Sequence, residues 1–206
     1  LKTNRSLDFG IDDIYYNVVG IDLSMTSPAI CSHPLWLDFK YETCIFNFYT
    51  TQKSKAGVYE KNIIGTLAPL FNDSEKRFDD LSSWAMSKIL PQSVILLEDY
   101  SYGSRGAGFH IGENGGVLKH KFYKNHPRIK YSAISPGTLK KFATGKGNAK
   151  KDQIYESFLE QTGIKLGILL GTEGLKKTNP TDDLIDAYYL CKYLHQNIIK
   201  PNEKSS

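Results

Sequence analysis

Little in these 206 residues invites a disulfide framework or a zinc site, because the three cysteines, Cys31, Cys44 and Cys191, follow no repeating spacing. No apolar run approaches the ~20 residues of a membrane span, and no signal-peptide pattern opens the chain. These absences point to a reducing, intracellular setting with no membrane partner. No internal repeat or low-complexity tract is present, which excludes repeat arrays. The stretch Ala143-Thr144-Gly145-Lys146-Gly147 lacks the Gly-x-x-x-x-Gly-Lys-Ser/Thr spacing of a phosphate-binding loop. The glycines at Gly103, Gly106 and Gly108 follow a strand as a dinucleotide fingerprint would, but in reversed spacing, and read as a DNA-facing loop; no small-molecule cofactor is implied. The histidines His33, His110, His120, His126 and His195 are scattered and read as surface or packed residues. What remains is an ordinary globular composition, 40% hydrophobic and 23% charged, sized for one domain.

The net charge of +4 says little, but its distribution says more. Ten basic residues run from Lys119 to Lys151 with no acid among them, including Lys140, Lys141, Lys146, Lys150 and Lys151. Such a run is either a solvated basic face or a surface for a polyanion, and its length favours the second.

Residues 1–14 and 199–206 read as tails around a single domain at 15–198. Asn17-Val18-Val19-Gly20-Ile21-Asp22 is a continuous apolar run, the mark of a strand buried on both faces. A turn-rich stretch at 24–34 precedes strand-like runs at 35–39 and 41–50, which together with the first predict an antiparallel meander. Residues 51–73 are without clear pattern. A helix is expected at 75–90, then a second buried strand, Ser93-Val94-Ile95-Leu96-Leu97-Glu98. Helices near 116–123, 136–142, 149–162 and 181–197 and a strand at 129–134 complete the pattern. The expected fold is α/β, a five-stranded mixed sheet with an antiparallel meander followed by parallel strands, flanked by helices.

Both central strands end on a carboxylate, Asp22 and Glu98. A turn or cap role accounts for Asp22 as readily as chemistry does, whereas Glu98 is a poor strand residue with nothing to gain from its Leu-Leu neighbourhood. Chemistry in open α/β sheets gathers at the carboxyl ends of such strands. In the last helix Asp183 and Asp186 are three apart and share a side, although acids at a helix start are also favoured by the macrodipole. Were the four acids to meet, their repulsion would call for cations. An all-oxygen donor set suits Mg²⁺ or Mn²⁺, and two such ions ~3.5–4 Å apart serve phosphodiester hydrolysis.

With those residues assembled, the sequence resembles the RuvC-type Holliday junction resolvases of the ribonuclease H-like superfamily. Val19-Gly20-Ile21-Asp22-Leu23-Ser24 is similar to the first catalytic strand, Ile95-Leu96-Leu97-Glu98-Asp99-Tyr100 to the second, and Asp183-Leu184-Ile185-Asp186-Ala187 to the closing motif. The most diagnostic segment is 135–154 (SPGTLKKFATGKGNAKKDQI), similar to the family's lysine-bearing helix, Gly-x-Gly turn and following helix start. The resemblance implies a ribonuclease H-like fold and a homodimer making symmetric paired nicks in a four-way DNA junction. It implies two Mg²⁺ ions per active site, with Mn²⁺ able to substitute, held by Asp22, Glu98, Asp183 and Asp186. Lys140 and Lys151 match basic residues near the scissile backbone. Tyr100 or Tyr102 would stack on an unpaired base, with Arg105, Lys141, Lys146 and Lys150 as further DNA contacts. Expected locations are wherever branched DNA occurs: a nucleoid, an organelle or a virus factory.

The sequence also departs from the family. The first two motifs are farther apart than in bacterial members, the turn between Pro28 and Pro34 is unusual, and Tyr188-Tyr189 replaces small residues. Asp182 is an additional acid able to compete with Asp183. These features resemble a viral, phage or organellar branch. Cleavage of flaps, forks or RNA–DNA hybrids, and a non-catalytic DNA scaffold, are the alternative functions.

Overall fold

The computed structural model describes residues 15–24, 27–99, 107–174 and 178–203. Among them are seven strands: β1 Asn17–Asp22, β2 Ala29–Pro34, β3 Ile45–Thr50, β4 Gly57–Tyr59, β5 Ile63–Leu67, β6 Ser93–Glu98 and β7 Lys130–Ile134. Six helices accompany them: α1 Ser74–Ser87, α2 Ala107–Asn125, α3 Pro136–Thr144, α4 Lys151–Thr162, α5 Leu166–Leu169 and α6 Thr181–Glu203. The strands form one sheet in the order β4-β5-β3-β2-β1-β6-β7. β1, β2 and β3 are successively antiparallel, as the expected meander requires. β6 then lies parallel to β1, and β7 parallel to β6.

The sheet has seven strands, not five. Residues 51–73 contribute β4 and β5, with β5 parallel to β3 and β4 antiparallel to β5 at the edge. β2 occupies Ala29–Pro34, part of the stretch expected to be turn, and 35–39 holds no strand. The prolines at positions 28 and 34 suggested turns, but here they bracket a strand whose Ala29, Ile30 and Cys31 are fully buried. Gly103 and Gly106 lie outside the described residues. α2 begins at Ala107 rather than near 116, so Gly108, read as part of a loop, lies inside a helix with Gly112, Gly115 and Gly116. Packing along Leu118 and Phe122 outweighs their propensity cost. α6 continues past the expected end at 197 to Glu203.

The period of two along the central strands divides the core. Val19, Ile21, Ile95 and Leu97 face α1 and α2, where they meet Leu81, Trp84, Leu118 and Phe122. Val18, Val94 and Leu96 face α6, where they meet Leu184, Ala187, Leu190 and Cys191. Each such fully buried aliphatic side chain contributes about 1.5–3 kcal/mol. Asp22 and Glu98 follow the second parity, so their side chains lie on the α6 face.

Gly20 determines how close that helix comes. A methyl group there would collide with the Ala187 carbonyl oxygen and the Cys191 amide nitrogen, and would lie 2.8 Å from Leu190 Cβ. α6 therefore crosses β1 almost backbone to backbone. Tyr188 and Tyr189 are directed away from this contact and buried, Tyr188 against Phe46 and Phe158. The large residues that replace small ones thus fill the core beside the helix without lifting it.

Candidate active site

Three separate pieces of chain deliver the four acids to one end of the sheet. The parallel register pairs Ile21 with Leu97, so Asp22 and Glu98 are the next residues on adjacent strands at their carboxyl ends. α6 starts above that edge, and its first turns bring Asp183 and Asp186. Asp22 senses the charges of Asp183, Asp186 and Glu98, and Asp186 those of Glu98 and Asp183.

Their surroundings are tightly specified. Asp22 Oδ1 accepts from the Ser24 amide at 3.1 Å. The Asp183 carboxylate accepts from Ser27 Oγ and Asn179 Nδ2, and it lies within hydrogen-bonding reach of Asp22. Asp22 and Asp183 are buried, Glu98 and Asp186 partly so. Thr181, the first residue of α6, has its hydroxyl 2.6 Å from that of Thr172. The additional acid, Asp182, lies beside Asp186 and adds to its charge environment. It accepts from Thr178 Oγ1 and pairs with Lys151 Nζ at 2.8 Å, placing that ammonium at the rim of the acids.

Burial and mutual repulsion raise the carboxyls above their ordinary range. For Asp22 desolvation dominates, followed by Asp183, Asp186 and Glu98. Asp186 is pushed up to about 8 by desolvation, then by Glu98 and Asp183, against the opposing pull of Lys151. Asp183 is raised by desolvation and restrained by its Ser27 and Asn179 hydrogen bonds. Glu98 is raised by desolvation and restrained first by Lys140.

The donor set is four carboxylates, suited to hard divalent cations rather than to zinc or copper. Among the described residues no group of three or more His, Cys, Asp and Glu side chains stands, as placed, where it could hold a metal ion. The acids share a neighbourhood, and a shared proton between two carboxyls answers the same repulsion that a cation would. Asp22, Glu98, Asp183 and Asp186 are the residues that would hold such ions.

A pH effect follows, with a definite sign. Asp186 keeps its proton in the folded chain up to about pH 8 but releases it near pH 4 when unfolded. Its contribution to stability is full below pH 4 and is lost as pH rises through 8. In a chelator the melting temperature should therefore fall by several degrees between pH 4 and 8, and Asp186→Asn should flatten that slope. Circular dichroism melts across the range check this, and a melting temperature that rises over the interval contradicts it.

Of the basic residues singled out in sequence, Lys140 and Lys151 border the acids and act on Glu98. Lys141, Lys146 and Lys150 are exposed around the same α3–α4 hairpin. Ser135 Oγ caps α3, and Gly145 at φ 78° ends it in the left-handed region. Lys121 lies elsewhere, paired with Asp79 at 2.8 Å, so the basic run is not one continuous surface patch. Tyr100, Tyr102 and Arg105 lie outside the described residues. Ser27 and Asn179 were not singled out in sequence, and their only signal is proximity to Asp22 and Asp183. His195 packs against His33 and Phe39, far along α6 from the acids.

No protein-family model matches this chain, and no curated protein matches it by sequence. Solved structures do match it. Thermus thermophilus RuvC superposes with a TM-score of 0.54 at 11% identity, over 87% of this chain and 95% of that one. The same protein in complex with Holliday junction substrate gives 0.56 at 14%, over 88% and 96%. The yeast mitochondrial Holliday junction resolvase gives 0.54 at 14%, over 97% of this chain and 87% of that one. The chain has the fold of RuvC.

Proposed function

We propose that, on this RuvC-type fold, the chain acts as a structure-selective endonuclease that resolves four-way DNA junctions by symmetric paired nicks. The observation that carries the reading is the meeting of Asp22, Glu98, Asp183 and Asp186 at the carboxyl edge of β1 and β6, with Lys140 and Lys151 beside them. The four acids would hold two Mg²⁺ or Mn²⁺ ions. When bound, such ions supply Lewis-acid stabilisation of charge on the scissile phosphate and a nucleophile at neutral pH. Ser27 and Asn179 hold the Asp183 carboxylate in one orientation. Asp182 holds the Lys151 ammonium where a phosphate oxygen would arrive, and Lys140 supports it from α3.

Among the described residues each chain has one such cluster, so two opposed nicks would require two copies, and a homodimer is the simplest assembly. Lys141, Lys146 and Lys150 would take flanking phosphates, and Tyr100, Tyr102 and Arg105 would contact DNA near the crossover. The junction in complex with Thermus thermophilus RuvC supports the choice of substrate. No described helix is long and apolar enough to cross a membrane, in keeping with work on DNA in a nucleoid, an organelle or a virus factory.

The test compares nicking of a synthetic four-way junction, a flap, a Y-fork and an RNA–DNA hybrid in Mg²⁺. The junction should be cut fastest, in paired positions on opposite strands. Equal or faster cutting of the hybrid or flap would move the assignment to a broader ribonuclease H-like nuclease. Binding of the junction without nicking of any substrate in either Mg²⁺ or Mn²⁺ would leave a DNA scaffold. Lys140→Gln and Lys151→Gln should each weaken junction binding and reduce the slope of log K against log salt by about 1. A salt titration of fluorescence anisotropy measures both.

A further inference from the structure

On the side of the acid cluster away from Lys140 and Lys151, a groove of roughly 400 Å³ leads from the Asp183 carboxylate toward α1. Its inner end is formed by Ser27 and Asn179, the two residues that donate to that carboxylate. Its outer walls carry Thr51, Lys55, Phe71 and Arg77. β3 runs in the same sense as β1, because each is antiparallel to β2. Thr50, which ends β3, therefore lies on the same sheet edge as Asp22, two strand spacings or about 10 Å away. The groove and the acids share one continuous edge.

The charges in the groove are unbalanced. No acid lines it. The Lys55 ammonium rests on the Asn179 carbonyl oxygen, and the Arg77 guanidinium lies 4.8 Å from the centre of the Phe71 ring. Among the described residues neither forms a salt bridge, and nearby Asp80 is engaged by Lys76 at 3.0 Å. Two cations braced by neutral partners at fixed positions form a preorganised anion track. Surface lysines that merely keep a chain soluble do not need bracing. With Lys140 and Lys151 beyond the acids on the other side, cations flank the cluster at both ends.

The geometry points to a strand-binding groove: Lys55 and Arg77 neutralise backbone phosphates of the cleaved DNA strand, on the side of the scissile bond opposite Lys140 and Lys151. This rests on the nuclease reading and adds the path of the strand to it.

The experiment measures binding of a fluorescein-labelled synthetic four-way junction in EDTA across a salt series. Lys55→Gln and Arg77→Gln should each weaken binding about tenfold at 100 mM salt and lower the salt slope by about 1. Thr51→Glu places a negative charge on an exposed wall residue without removing packing, and should weaken binding even if Arg77→Gln compromises the fold. Lys88→Gln, at the amino ends of β1 and β6, should bind as wild type does. Affinities and slopes equal to wild type in Lys55→Gln and Thr51→Glu would overturn the groove. If the wild type nicks junctions and these slopes do not change, the groove alone fails. If the variants lose salt-dependent binding while the wild type nicks nothing, the groove stands and the nuclease assignment fails.

Discussion

Asp22→Asn is expected to leave less than about a thousandth of wild-type nicking in Mg²⁺, and at the same time to raise the melting temperature of the metal-free protein. The two effects have opposite signs and one cause. Asp22 is buried beside Asp183, Asp186 and Glu98, and its carboxyl is raised by desolvation first and by those three charges next. Asparagine keeps the shape and the acceptor for the Ser24 amide, but it removes one of four mutually coupled carboxyls from a confined space. Buried carboxyls that repel one another destabilise the fold that confines them, so relief of that repulsion should stabilise the metal-free protein by several degrees. The same substitution removes a donor that the ions would need. Junction binding, proposed to depend on the lysines, should persist. Nicking at a wild-type rate would place the chemistry elsewhere, and an unchanged melting temperature would mean that the acids do not strain the fold.

Gly20→Ala should be nearly as damaging to activity although it leaves every charged residue in place. The added methyl group meets backbone atoms of Ala187 and Cys191, which cannot rotate away as a side-chain tip could. Relief requires α6 to shift as a body, and α6 carries Asp183 and Asp186. Overpacking of this kind costs about 1–3 kcal/mol or more, which in a domain of this size lowers the melting temperature by roughly 5–10 °C. Gly20→Val should be worse, with little folded protein recovered. In Gly20→Ala the four acids survive but no longer converge, so nicking and divalent-ion affinity should fall together. A variant that melts as wild type does and nicks normally would show that the close crossing of β1 by α6 is not what aligns the site.

The parts of the molecule legible in sequence are those with one dominant local signal. Ser93–Glu98 is an unbroken apolar run with a misplaced carboxylate, and both its strand character and its parallel pairing with β1 follow from that. The spacing of Asp183 and Asp186 likewise conveys a shared side on a helix start. β2 was hidden because Pro28 and Pro34 mark turns at its borders, while the burial that makes Ala29–Pro34 a strand comes from β1, β3 and α6 together. α2 was shortened because its glycines carry a propensity cost that only tertiary packing offsets. The Lys151–Asp182 pair joins residues 31 apart in sequence and leaves no local trace, so the lysine partner of this additional acid was not legible. Ser27 and Asn179 illustrate the same limit. A hydroxyl and an amide next to acids are common in any chain, and only the fold shows that both reach Asp183.

The most direct test of the central claim is calorimetric titration of Mn²⁺ into the wild type and into Asp22→Asn, Glu98→Gln, Asp183→Asn and Asp186→Asn at pH 8. The expected result is uptake of two ions per chain by the wild type, with each of the four variants losing at least one of them. Mn²⁺ uptake that is the same in all five proteins, or absent from the wild type, would show that these acids do not form a common cation site.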